Sequence, residues 1–112
     1  MTMRALSPPP RVTTADGRLV RVQAEDRAAA GMLLTHGFRA EPSGFEYVRE
    51  VPDEGAKAAL FTTLRDAGVH FERGREWNPA EVFEYLRERG LVDGPFRSLA
   101  WRGPDEWVAR DE

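Results

Sequence analysis

DEGAKAALFTTLRDAGVHFE, residues 53–72, changes its period once, and that change decides the fold class. Ala56, Leu60, Leu64 and Ala67 recur at helical spacing and share one face. Asp53 has a carboxylate suited to the first free N–H groups of a helix, and Gly68 suits its left-handed end. Beyond Gly68 the period drops to two, with Val69 and Phe71 pointing one way and His70 and Glu72 the other. A capped helix feeding a strand with one apolar and one polar side predicts α+β structure, with the helix laid against the sheet.

The same two periods organise the rest of the chain. Upstream, Arg11–Thr14 and residues 18–23 are rich in β-branched residues and flank Asp16-Gly17, predicting a hairpin whose turn uses positive φ at Gly17. Residues 25–36 read as a helix ended by Gly37, and residues 38–40 and 44–51 as a second hairpin. Downstream, residues 78–89 form a third helix ended by Gly90, residues 96–102 a strand, and Trp107-Val108 either a returning strand or a helical turn. The order is ββαββαβαβ, an antiparallel or mixed sheet of about five to six strands with three helices mainly on one face. Residues 11–108 are expected to form a single domain, after a disordered leader at 1–10 that ends in Pro8-Pro9-Pro10 and before a tail at 109–112.

Composition removes several classes of function. With no cysteine, disulfide frameworks, zinc–thiolate sites, iron–sulfur clusters and cysteine nucleophiles are excluded. A net charge of −3 argues against general adhesion to nucleic acid or anionic lipid, and no apolar run has the length of a membrane-spanning helix. Lys57 is the one lysine among the 16 basic residues, and the abundance of Arg, Ala, Gly and Pro suggests a GC-rich bacterial genome. Cytoplasmic location is the expectation.

The loop and helix start Gly74-Arg75-Glu76-Trp77-Asn78-Pro79-Ala80-Glu81-Val82 has two readings. Asn78 as N-cap, Pro79 at N1, Glu81 reaching back to the cap and Trp77 packed on Val82 would make a capping box with a hydrophobic staple. Arg73, Arg75 and Glu76 are left over, and the two arginines beside a helix N-terminus would suit an anion. Trp101 and Arg102 add residue types common at interface hot spots. The candidate binding surface is therefore Arg73, Arg75, Glu76, Trp77, Trp101 and Arg102. Whether Trp77, Trp101 and Trp107 belong to core or interface is a tertiary question.

His36 and His70 are the only histidines, neither at a metal-ligand spacing, so no metal and no cofactor is expected. No serine lies in a nucleophile elbow. The helix ending Leu86-Arg87-Glu88-Arg89-Gly90-Leu91-Val92 with a following hairpin resembles the recognition helix and wing of winged-helix proteins, over the last third of the chain. That resemblance implies DNA binding through the helix, which here carries Glu81, Glu84 and Glu88 against Arg87 and Arg89. The leading expectation is a small non-enzymatic binding or regulatory module for a protein partner or a small anionic ligand. The alternatives are a winged-helix-like DNA-binding protein and an enzyme with a dispersed acid/base site, His70 with Glu72.

Overall fold

Three helices share one face of a mixed sheet in the computed structural model, which describes residues 2–4, 8–74, 77–104 and 106–112, without the side chains of 2–4. In chain order the elements are β1 (Thr2–Arg4), β2 (Arg11–Thr14), β3 (Leu19–Gln23), α1 (Arg27–Thr35), β4 (Arg39–Ala40), β5 (Glu46–Glu50), α2 (Glu54–Asp66), β6 (His70–Glu72), α3 (Pro79–Glu88), β7 (Arg97–Trp101) and β8 (Glu106–Asp111). The strand order is β1-β8-β7-β6-β2-β3-β5-β4. The pairs β2–β6 and β6–β7 are parallel, and the other pairs are antiparallel.

Helix placement follows from handedness. A strand–helix–strand link between strands that run the same way is right-handed. The links β5–α2–β6 and β6–α3–β7 step toward the β1 edge. In β3–α1–β4 the strands run the opposite way and the step is toward the β4 edge. Reversing both direction and step keeps the helix on the same side. Accordingly Leu33 of α1, Phe61 and Leu64 of α2 and Phe83 and Leu86 of α3 share one core with Val12, Val20, Val22, Tyr47 and Phe71 of the sheet.

The centre of that core is aromatic: the Phe61 and Phe71 centroids lie 5.0 Å apart, and Phe83 stacks on Phe96 at 4.5 Å. Each fully buried phenylalanine contributes about 1.5–3 kcal/mol of apolar burial. Asp53 and Asn78 cap their helices as the sequence suggests, accepting from Ala56 and Ala80, whereas α1 begins at Arg27, past the expected Glu25, with Asp26 as its cap accepting from Ala28. At Gly68 the φ of +88° is the left-handed conformation that turns α2 into β6.

Four local expectations change. Thr2–Arg4, expected within the leader, pair with β8, and the Pro10 carbonyl accepts from His70 N, because proline lacks a donor but keeps its acceptor. At the other end β8 runs through the expected tail to Asp111, and Glu112 N donates to the Phe96 carbonyl; the unbroken ladder with β7 outweighs the weak strand propensity of the charged residues there. Eight strands therefore stand among the described residues, where about five to six were expected; the additions are β1, inside the expected leader, and β8, which the sequence left open between a strand and a helical turn. The hairpin β2–β3 forms without a left-handed Gly17, since residues 15–18 make a longer connection than a two-residue primed turn and the register shifts between Val12 and Thr14.

Trp107 lies in a strand, which settles the hairpin-or-helix question. The resemblance to a winged helix does not extend to this architecture. Here α3 is the crossover between parallel strands, with Phe83 and Leu86 buried, and the β7–β8 hairpin is built into the larger sheet.

Candidate functional site

With all helices on one side, the other side of the sheet carries the polar register. Cross-strand partners share a face, so Gln23, Arg11 and His70 line up across β3, β2 and β6. By the same rule Glu72 lies with Leu99 and Ala109, and Trp101 with Trp107. The alternation at His70 and Glu72 that marked a polar strand side in sequence thus becomes part of a continuous surface.

Arg11 is its centre. The residue is only 5% exposed, and a buried guanidinium requires partners. Its Nε donates to Glu72 Oε1 at 3.1 Å and one terminal nitrogen to the Pro9 carbonyl at 3.3 Å, while Glu25 Oε2 lies 3.7 Å away. The Trp101 ring centroid is 5.6 Å from the Arg11 guanidinium carbon, within cation–π range. The Trp101 indole N–H donates to the same Glu72 oxygen at 2.6 Å. Glu72 thereby fixes both an arginine beneath the surface and a tryptophan on it.

Trp101 is 39% exposed, whereas Trp77 and Trp107 are buried. Trp77 donates its indole N–H to the Glu72 backbone carbonyl at 2.8 Å, so this expected surface residue is a structural one. Arg73 and Arg102 are exposed, anchored by backbone bonds to Leu99 O and Glu106 O, both at 2.9 Å. Trp77 and Trp101 both reach Glu72, while Arg73 and Arg102 follow Glu72 and Trp101 directly in the chain. Arg75 and Glu76 lie outside the described residues.

The expected capping arrangement at α3 is partly realised. Asn78 Oδ1 accepts from Ala80 N at 3.1 Å, and its carbonyl accepts from Glu81 N and Val82 N. Pro79 has no N–H, so the first amides of α3 are taken up within the chain and offer little to an anion. The Glu81 side chain lines a groove between α3, the N-terminus of α2 and the β2–β3 turn.

His70 and Glu72 share the polar face, but each is engaged elsewhere. The His70 ring meets Trp107 edge-on at 6.1 Å, and its Nδ1 lies 3.2 Å from the Gly68 carbonyl. Burial pushes the imidazole pKa below its ordinary value; the Gly68 bond opposes this, and Arg97 adds to it. Trp107 Nε1 is buried with no acceptor among the described residues. There is no group of three or more His, Cys, Asp or Glu placed to hold a metal among the described residues, and no described helix is long and apolar enough to cross a membrane.

Sequence reading missed Arg11 and Glu25. An arginine in a β-branched strand looks like any polar-face residue, and the 61 positions separating it from Glu72 hide the pair. Fold and site together define a small α+β domain with helices on one sheet face and, on the other, the charged network around Arg11 beside the buried Leu99 and Trp107. No family model, no curated protein and no solved structure matches the chain.

Proposed function

We propose that this protein is a non-enzymatic binding module whose open sheet face, around Trp101, holds an acidic, partly apolar segment of a partner protein. The observation that carries this reading is the half-exposed Trp101, pinned by Glu72 above the buried Arg11. A tryptophan already held in one position loses little freedom on binding, which favours it as an anchor. Arg73 and Arg102, exposed and next in the chain to Glu72 and Trp101, add positive charge at this end of the sheet, which favours carboxylates in the partner.

An acid/base enzyme using His70 with Glu72 is less well supported. The Glu72 carboxylate is occupied by Arg11 and Trp101, and the His70 ring faces Trp107. A DNA-binding reading has the net charge of −3 and the glutamates of α3 against it.

Selection of displayed random peptides on the immobilised protein tests the proposal. Wild type is expected to enrich sequences combining Asp or Glu with an apolar residue, their capture weakening as salt rises. Trp101→Ala should lose that enrichment while keeping its fold. If Trp101→Ala enriches the same peptides equally, the binding face is misplaced.

A further inference from the structure

A groove between α2, α3 and the β2–β3 turn lies away from Trp101. It has a volume of about 660 Å³ and is floored by Val51, Val82 and Leu86. That size suits a small molecule. Lys57, one turn into α2, stands in its wall and is only 8% exposed. Its amine donates to the Gly17 carbonyl at 2.9 Å, and the next residue, Arg18, is an exposed cation on the same groove. The remaining basic residues are all arginine, so the chain's single amine side chain is buried against this groove. An arginine there would hold the turn but would never give up its proton.

We propose that this groove binds a small 2-oxo acid, with Arg18 pairing with its carboxylate and Lys57 condensing with its carbonyl to form an imine. The nitrogen lone pair adds to the carbonyl carbon, and the C=O π electrons move to oxygen. A proton passes from nitrogen to that oxygen, giving a carbinolamine. The C–O bond then breaks with loss of water as C=N forms, so amine and carbonyl give imine and water with no change in oxidation state. Such chemistry needs a neutral amine in a partly apolar setting. Burial lowers the Lys57 pKa from its ordinary value, and Asp16 and Glu54 oppose that shift. Solvent in this surface groove can supply the proton that dehydration requires. Tyr85, whose hydroxyl donates to Glu54 Oε1 at 2.9 Å, closes the outer wall.

Pyruvate with cyanoborohydride is the direct probe, because reduction makes an imine permanent and peptide mapping locates it. Lys57 is the only side-chain amine, so a terminal amine reads out on a different peptide. Labelling of Lys57 is expected to saturate with pyruvate and to run about tenfold faster than labelling of N-α-acetyl-lysine at neutral pH. Arg18→Gln, a change on an exposed turn, should slow labelling by pyruvate about tenfold and leave labelling by acetaldehyde, which has no carboxylate, unchanged. Lys57→Met should remove the adduct altogether. Labelling of Lys57 no faster than the free amino acid overturns the proposal. Equal pyruvate labelling of wild type and Arg18→Gln overturns the assignment of a 2-oxo acid. Neither result bears on the Trp101 face, which the peptide selection tests separately.

Discussion

Glu72 holds more of this molecule together than its exposed-looking position on a short strand suggests. Its carboxylate pairs with a nearly buried arginine and a tryptophan, and its carbonyl receives a second tryptophan. Removing one partner of a buried pair leaves the other charge unsolvated, which costs more than removing both. Glu72→Ala should therefore lower unfolding free energy by about 3 kcal/mol in denaturant titrations. Arg11→Met, which keeps much of the volume and removes the buried charge, should cost less; the reverse order would show that the network is not what positions Trp101. His70 offers a second reading at this scale. Its folded-state pKa is depressed, so the unfolded chain binds more protons between that value and the ordinary 6.5. Stability should rise with pH across that window, and be lost as pH falls from 6.5 toward the folded-state pKa. His70→Gln should remove that part of the slope in melting curves recorded over pH.

Among the elements, α3 shows how a structural device can look like a binding motif. Asn78, Pro79 and Trp77 are consumed in starting the helix and fixing its entry, and Ala80 N, Glu81 N and Val82 N all bond back to Asn78. Asn78→Ala should cost about 1 kcal/mol of stability, read as a lower denaturation midpoint, and leave peptide binding at Trp101 unchanged. Loss of binding alongside a normal midpoint would instead place Asn78 in the binding site. The short edge strands teach a related lesson. Arg39 and Ala40 pair with Val48 and Tyr47 as the hairpin read over residues 38–51 requires, a strand seen through its turn residues and not through any periodicity of its own.

For the whole molecule, the parallel pairing of β2 with β6 matters most. It joins the strands that precede α2 to those that follow it, through Arg11↔His70 and Val12↔Phe71. The Arg11–Glu72 pair bridges the seam on the open face, while Phe71 packs on Phe61 beneath it. The resulting body presents helices on one side and a mixed-charge face on the other, and Glu81, Glu84 and Glu88 stand exposed on α3. Mobility-shift titrations at low salt should accordingly give no saturable, sequence-dependent duplex complex. A specific shift abolished by changes in α3 would reverse that conclusion.

The sequence by itself determined the α+β class, the three helices, the N-caps of α2 and α3 and the alternation that gave β6 one polar side. These rest on local periodicity and on residues such as Asp53, Asn78 and Gly68, whose conformational demands are met within a few neighbours. Only tertiary structure decided that Thr2–Arg4 join the sheet, that Trp77 is buried while Trp101 is exposed, and that Arg11 lies between Glu72 and Glu25. It also decided that Lys57 faces a groove shared with α3 and the β2–β3 turn. The physical reason is common to all of these. Strand pairing and charge burial depend on which residues meet across the sheet, and residues 61 positions apart carry no local sign that they will meet.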